Sequence, residues 1–290
     1  MGLRINQNIA AMNSYRNLSI TDGQMSQSLE KLSSGFPINR AADDAAGLAV
    51  SEKLRSQVRG LDTAAGNAQN AISLIQTAEG ALNETTAILQ RMRELAVQAG
   101  NDTNTADDRA QIAKEVTQLS DEINRISDST EFNTQKLLSG GTTATAGLTF
   151  QVGANAGQVL NVKIGTITTV ALTLTAVNVS SATFASQALA SIDSAIKAVS
   201  STRSDLGAVQ NRLEHTIKNL NVASENLAAS ESRIRDTDMA KEMMNFTRSQ
   251  IMRQAGTAML AQANQASQGV LSLFRERDGP LSARTTAEVG

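Results

Sequence analysis

The sequence predicts a mainly α-helical protein: a long antiparallel helical bundle or coiled coil, a small β-hairpin region, and terminal helices that pair as a second coiled-coil domain. Apolar residues recur at helical spacing at both ends of the chain, whereas Thr, Val and Gly dominate residues 140–185. Hydrophobic residues make up 41% of the chain and aromatics only 2%, so Ala, Leu, Ile, Val and Met must form the interior. Small aliphatic residues favour closely packed helices over a deep ligand pocket, which usually has aromatic walls.

The two terminal segments, residues 3–34 and 239–274, each predict one amphipathic helix with a narrow apolar stripe and a back of Ala, Gln and Asn. Such a helix alone buries too little surface to offset the entropy lost on ordering. Even as a pair, the two helices leave a back that is neither charged nor typical of a core. We therefore expect further copies of the chain to surround them; a plain two-helix coiled coil within a monomer is the simpler alternative.

A much longer helix is predicted from near Asp43 to Ala99, which corresponds to roughly 80 Å. Four glycines lower its intrinsic helix propensity, each by about 1 kcal/mol relative to Ala: Gly47, Gly60, Gly66 and Gly80. A helix of this composition persists only if other helices pack on it, and glycines permit close approach.

The next helix is predicted from Asp107 to Ser129, because its apolar residues alternate steps of four and three: Ile112, Val116, Leu119, Ile123 and Ile126. Either Thr105 or Asp107 can cap its start. Gly100 and the following NDTNT predict a turn, so this helix and the preceding one should form an antiparallel hairpin.

A third long helix is predicted over residues 186–235, and its natural partners are the two helices before residue 130. Between them, LTFQV and LNVKI alternate apolar and polar residues on either side of GANAGQ. This pattern predicts a β-hairpin.

Several functional classes are disfavoured by composition. The net charge is −2 with dispersed Lys and Arg, which argues against nucleic-acid binding. There is no Cys and only one His, His215, so thiolate chemistry and the usual zinc-hydrolase motif are excluded. Residues 254–274 are uncharged but too rich in Gln, Asn, Ser and Thr for a membrane helix. We expect no cofactor, no metal and no membrane insertion.

An enzymatic function is also not expected. The most suggestive acidic pair, Asp43-Asp44, lies at a predicted helix start, where carboxylates stabilise the helix dipole. The N-terminus lacks the apolar region of a secretory signal peptide.

The chain resembles the bacterial flagellins over roughly residues 3–138 and 200–274. The N-terminal part contains LRINQNIAAMN, LEKLSSG, INRAADDAAGLAVSEKLRSQVRGL, AISLIQTAEGALNETTAILQRMRELAVQAGN and EFNTQKLL. The C-terminal part contains LGAVQNRLEHTIKNL, ESRIRDTDMAKEM and QAGTAMLAQANQ. No single motif is specific, but so many in the same order are.

The resemblance implies a division into domains. Residues 1–40 would pair with 236–275 as the inner domain that lines the filament channel. Residues 41–140 and 186–235 would form the helical core domain that makes most subunit contacts. Residues 141–185 would be its hairpin and a short variable region, and residues 276–290 look like an added tail.

The resemblance also implies a function. The protein would be exported without a cleaved signal peptide and would polymerise outside the cell into the flagellar filament for motility. The implied partners are further copies of the chain, an export chaperone, and the filament cap and junction proteins. The implied filament-core contacts are apolar residues of the terminal segments: Ile5, Ile9, Met12, Met252, Met259, Val270 and Leu273.

The motif LQRMRELAVQ, residues 89–98, lies on the longest predicted helix. A helical wheel separates residues that hold the subunit together from residues that face outward. The first set is Ile88, Met92 and Ala96. The second set is Arg91, Leu95 and Gln98. The wheel leaves Val97 unassigned.

In flagellins this segment is recognised by the animal receptor Toll-like receptor 5. The resemblance carries that role to Arg91 and Leu95, and to Glu115 on the facing helix in AKEVTQL. Because the same surface packs against the next subunit in filaments of the family, we expect the receptor to recognise the monomer.

The chain departs from the family at Phe36-Pro37, where flagellins usually carry Leu-Arg between SG and IN. Gly35 predicts a helix stop, and Pro37 biases Phe36 away from helical conformation. We therefore expect an extended and somewhat stiffer connector. The substitution is either tolerated in a loop or removes an intersubunit contact.

Two other functions agree less well with the sequence. A hook–filament junction protein shares the terminal patterns, but the dense match to QTAEGAL and LQRMRELAVQ disfavours it. A helical signalling hairpin of the chemoreceptor kind would need a membrane span and a turn at the middle of symmetric heptads, and this sequence has neither.

Overall fold

The computed structural model describes residues 8–140, 146–175 and 177–277, with side chains described as far as residue 265. Its helices are α1 (Ile9–Ser34), α2 (Ala45–Ala99), α3 (Ala106–Ser129), α4 (Ala182–Arg235) and α5 (Met239–Arg277). Its strands are β1 (Glu131–Phe132), β2 (Gln135–Lys136), β3 (Leu148–Gln151) and β4 (Val159–Val162). The predicted mainly α-helical class with small β-hairpins is confirmed.

The chain forms two compact units, each built from both its N-terminal and C-terminal parts. The terminal unit comprises the described residues within 1–53 and 230–290, and the central unit comprises those within 54–229. Both boundaries fall inside long helices, α2 and α4.

One aliphatic core fills the central unit, and α2, α3 and α4 all contribute to it. Its largest fully buried side chains include Ile75, Leu82, Met92, Ile123, Ile192 and Leu213. The predicted heptad-like seam of α3 supplies Ile112, Val116 and Ile123. Burial of this seam is what holds together helices whose intrinsic propensity is modest.

The start of α3 is set by Thr105, one of the two predicted caps. The Asp108 backbone N–H donates to the Thr105 hydroxyl oxygen, and the Thr105 backbone N–H donates to Asp108 Oδ2 at 3.0 Å. This reciprocal pair is a capping box. The Thr105 hydroxyl also donates to Asp108 Oδ2 at 2.7 Å.

The predicted hairpin is confirmed as the antiparallel pair β3–β4, with Leu148 opposite Val162 and Gln151 opposite Val159. A second, very short hairpin, β1–β2, was not predicted. Its turn residues Asn133 and Thr134 have φ of 49° and 64°, the values that a tight hairpin turn requires. The turn lacks Gly, so the usual signal for it is missing.

The segment after β4 contributes to the central core, although its described residues form no helix or strand. Five of its apolar residues are buried: Ile164, Ile167, Leu172, Leu174 and Val179. Asn124 on α3 fixes the segment, because its Oδ1 accepts hydrogen bonds of 3.0 Å from both the backbone N–H and the hydroxyl of Thr169.

In the terminal unit, α1 and α5 pair, as predicted, and they run antiparallel. At one end Asn8 Nδ2 donates to the Ala263 carbonyl at 2.8 Å. At the other end the Thr237 N–H donates to the Gly35 carbonyl at 2.9 Å. Asn8 also caps α1, since its Oδ1 accepts from the Ala11 N–H at 3.0 Å.

Candidate functional site

The seam between α1 and α5 contains small and polar residues where a coiled coil normally has an apolar core. Thr21, Ser28 and Ser249 are buried. Gly256 allows close approach, since a Cβ there would lie 3.3 Å from Leu18 Cδ1. Among the described residues of the terminal unit, Ile38 is the only buried hydrophobic one, at 7% exposure.

Although Leu18, Met25 and Leu32 on α1 are half-buried, many large apolar side chains of the terminal unit are exposed. On α1 they are 54–66% exposed: Ile9, Met12, Tyr15, Ile20 and Leu29. On α5 they are 41–63% exposed: Met239, Met243, Met244, Ile251, Met252 and Met259. Exposed apolar surface of this extent usually marks an interaction site.

The predicted filament-core residues fall on this exposed surface as far as they are described. Ile9, Met12, Met252 and Met259 are all among the exposed side chains. Ile5 lies outside the described residues, and Val270 and Leu273 lie on α5 beyond the last described side chain. The predicted tail from residue 278 onward also lies outside the described residues.

Two patches concentrate the exposed apolar atoms. The methionine patch lies on α5 and consists of Met243, Met244, Thr247, Arg248, Ile251 and Met252. The tyrosine patch lies mainly on α1 and consists of Ala11, Met12, Tyr15, Arg16, Ser19, Ile20 and Leu260. Tyr15 and Ile20 lie outside the narrow apolar stripe that predicts α1, because such a stripe describes only one face of a helix.

On the central unit, the structure brings Arg91 and Glu115 together, as their assignment to facing helices requires. The Arg91 guanidinium donates to Glu115 Oε1 from Nη2 at 2.9 Å and from Nε at 3.0 Å. A third bond of 3.3 Å reaches Glu94 on the same helix. The Glu115 carboxylate, and then Glu94, raise the pKa of Arg91. Gln98 is exposed about two turns beyond Arg91 on α2.

The prediction that Leu95 faces outward is wrong. Leu95 is only 2% exposed and belongs to the central core, together with Met92, Ala96 and Ala99. The wheel assumed one packing seam, but α2 has partners on two sides. Arg91 pairs with Glu115 of α3.

The second partner of α2 is α4, since Arg93 Nε donates to Asp193 Oδ1 at 2.8 Å. A helix between two partners buries a wider stripe than a coiled-coil seam. This width places Leu95 inside. Val97, which the wheel left unassigned, is 53% exposed.

At the connector, Gly35 ends α1 with φ of 76°, as predicted, and residues 36–44 form no helix or strand. Phe36 packs under the guanidinium of Arg235, whose Cζ lies 4.9 Å from the ring centroid. Arg235 Nη1 also lies 2.6 Å from Glu52 Oε1. The residue that departs from the family pattern is thus held by the end of α4 through a cation–π contact.

The acidic pair Asp43-Asp44 is engaged with the backbone. Asp43 Oδ2 accepts from the N–H groups of Arg40 at 2.9 Å and Asn39 at 3.0 Å, which lowers the pKa of Asp43. Asp44 Oδ1 accepts from the Gly47 N–H at 2.9 Å at the start of α2. Both carboxylates shape the entry into the helix.

Two further searches cover the described residues only. No group of three or more His, Cys, Asp or Glu side chains there is arranged to hold a metal ion. None of the described helices combines the length and apolarity needed to cross a membrane.

Comparison with known proteins places these features in a family. Residues 5–143 match the bacterial flagellin N-terminal helical region, and residues 189–274 match the bacterial flagellin C-terminal helical region. A flagellin of Halalkalibacterium halodurans is 58% identical over 273 residues, covering 93% of this chain and 99% of the relative.

Two other relatives extend the comparison. The flagellar filament 33 kDa core protein of Treponema phagedenis is 51% identical over 284 residues, with 93% of this chain and 99% of the relative covered. The crystal structure of Bacillus cereus flagellin shares 34% identity and a TM-score of 0.48, and covers 57% of this chain and 94% of that chain. The chain therefore belongs to the bacterial flagellin family, a family of structural filament subunits and not of enzymes.

Proposed function

We propose that this chain is exported and polymerises outside the cell as the subunit of the flagellar filament. The observation that carries the proposal is the burial pattern of the terminal unit: Thr21, Ser28 and Ser249 are buried, whereas many large apolar side chains of α1 and α5 are exposed. An isolated coiled coil keeps its large apolar residues in the seam.

Polymerisation would remove this apolar surface from water. Full burial of a large apolar side chain is worth about 1.5–3 kcal/mol, so covering one that is half exposed is worth about 1 kcal/mol. The described part of the terminal unit has a dozen such side chains. Their burial would yield on the order of 10 kcal/mol per subunit, enough to offset substantial ordering entropy.

We further propose that residues 1–34 and 240–274 are ordered only in the filament, because α1 and α5 have little buried apolar surface of their own. Amide hydrogen exchange on monomer and filament tests this point. Protection confined to the filament is expected, and strong protection of both segments in the monomer would contradict it.

Seeded polymerisation followed by electron microscopy tests the main proposal. Wild-type chain should form filaments, and Met252→Ser with Met259→Ser should raise the critical concentration. The control is Val170→Ser, an apolar site in the central unit that is 71% exposed. Absence of wild-type filaments under all seeded conditions would refute the proposal.

The proposed partners other than the chain itself are an export chaperone and the filament cap and junction proteins. The exposed apolar surface of α1 and α5 needs shielding before assembly and a template at the filament end. Pull-down experiments compare how much of each purified partner binds the wild-type monomer and the Met252→Ser/Met259→Ser variant. Weaker binding by the variant is expected if the partner contacts the exposed apolar surface.

A second proposed interaction is recognition of the monomer by Toll-like receptor 5. It is supported by the exposed cluster in which Arg91 is held by Glu115, with Gln98 nearby. Leu95 is omitted, because its side chain is buried. In the filament this surface would be covered by the next subunit.

A cell reporter of receptor activation tests the interaction. Arg91→Ala should reduce the response, whereas the control Arg93→Ala, an exposed arginine on the same helix that pairs with Asp193, should not. Equal responses of wild type and Arg91→Ala would contradict the assignment.

A further inference from the structure

We propose that the methionine patch is a reversible oxidation site: peroxide converts Met243, Met244 and Met252 of unassembled subunits to sulfoxides, which blocks their assembly. The inference rests on the proposed polymerisation and adds a chemical control to it. Two observations carry it: the position of the methionines and their exposure. The third step is a physical argument, that assembly would bury these side chains between subunits.

The methionines are distributed unevenly. The chain has nine, and five lie on α5: Met239, Met243, Met244, Met252 and Met259. These five are 41–63% exposed. Met92 in the central core is 0% exposed and provides an internal reference within the same molecule.

The patch brings three thioethers onto one surface. Met243, Thr247 and Ile251 follow one another at four-residue intervals, and so do Met244, Arg248 and Met252. Residues four apart lie on the same face of a helix, so the two rows are neighbours. The helical α5 therefore presents three thioethers on the surface that assembly would bury. In the unassembled subunit each thioether is open to a small oxidant whether or not α5 has folded.

The reaction is an oxygen-atom transfer. The sulfur lone pair attacks one peroxide oxygen, an S–O bond forms, the O–O bond breaks, and the second oxygen leaves as water after proton transfer. The thioether is oxidised by two electrons and the hydroperoxide is reduced by two. Reductases specific for each sulfoxide epimer reverse the change, so the modification can act as a switch.

The consequence for assembly follows from polarity. Oxidation turns a flexible apolar side chain into a polar one with a strong acceptor oxygen. Burying that oxygen between subunits without a donor is unfavourable. Because three sulfoxides would lie together, we expect the critical concentration to rise by at least about tenfold.

The first experiment maps the site. Monomer and preassembled filament are treated with hydrogen peroxide, and peptide mass spectrometry measures sulfoxide formation at each methionine. In the monomer, the patch methionines should oxidise on the order of tenfold faster than Met92. In the filament, their oxidation should slow. Equal rates for the patch and Met92, or unchanged patch rates in the filament, would overturn the inference.

The second experiment measures assembly after oxidation. Oxidised wild type should fail to extend seeds and should recover after treatment with both methionine sulfoxide reductases. The Met243→Leu/Met244→Leu/Met252→Leu variant should still assemble after peroxide, because Leu resists oxidation and has similar volume and helix propensity. The control Met12→Leu/Met239→Leu/Met259→Leu keeps the patch and should fail like wild type.

The outcomes separate the two proposals. Failure of untreated wild type to polymerise refutes the proposed function, whereas the rates in the monomer still test the oxidation site. Normal polymerisation of fully oxidised wild type refutes the switch alone. Loss of assembly by the oxidised patch variant shows that other methionines are responsible and also overturns the inference.

Discussion

The substitution Leu95→Ala tests the central packing argument most directly. Leu95 is 2% exposed and lies in the core formed by α2 with α3 and α4. Removing a buried leucine side chain costs the transfer free energy of the lost atoms and leaves a cavity, together about 2–5 kcal/mol. Long packed helices relax little around a cavity, so we expect about 3 kcal/mol. For a unit of this size that is a decrease in melting temperature of roughly 6–12 °C.

The assay is urea and thermal unfolding of the monomer followed by circular dichroism. The matched control is Val97→Ala, two residues along the same helix and 53% exposed, which should change the free energy of unfolding by less than about 0.5 kcal/mol. If Leu95→Ala costs less than about 1 kcal/mol, or if both substitutions cost the same, Leu95 does not have the buried position described above. The same result would restore Leu95 as a candidate receptor contact.

Three other predictions concern individual contacts. Asn124→Ala should destabilise the central unit by about 1–3 kcal/mol, measured by urea unfolding, because it leaves the buried Thr169 without its acceptor. Thr105→Ala should cost about 1 kcal/mol at neutral pH. The hydrogen bond from the Thr105 hydroxyl is the main cause of the lowered pKa of Asp108. The stabilisation that the ionised Asp108 gives the helix start is therefore complete above the ordinary carboxyl pKa of about 3.9. It is lost as the pH falls through the lower pKa of the folded state. Unfolding from pH 7 to pH 2.5 should therefore show wild type and Thr105→Ala converging at the acid end; a constant difference would contradict this. Phe36→Leu should lower the free energy of unfolding by about 0.5–1 kcal/mol, because it removes the cation–π contact. A double-mutant cycle with Arg235→Met should show a coupling energy of that size. Zero coupling would mean that the 4.9 Å contact contributes nothing to stability.

Much of the architecture could be predicted from local patterns. The ends of the helices follow from caps and breakers that act within one turn: Thr105 before α3, Gly35 after α1, and the acidic pair before α2. The β3–β4 hairpin follows from alternation around a glycine-containing turn. These signals are reliable because the interactions that cause them lie within a few residues of sequence.

The candidate surfaces could be predicted only in part. The sequence pattern indicated that the terminal helices were incomplete alone, and the family resemblance implied that Ile9, Met12, Met252 and Met259 take part in assembly. The pattern gave no sign that the seam would bury the polar residues Thr21, Ser28 and Ser249. Which face of a helix meets its partner depends on the other helix as well, and the wheel of one helix contains no such information.

The sequence by itself thus determined the helical class, the positions of the caps, the hairpin and the family. The tertiary structure alone decided that Leu95 is inside, that the segment after β4 belongs to the core, and that Phe36 stacks on Arg235. The physical reason is the range of the interactions. Hydrogen bonds within a turn and the periodicity of one helix are local, whereas burial depends on how many partners surround a residue, and those partners come from distant parts of the chain.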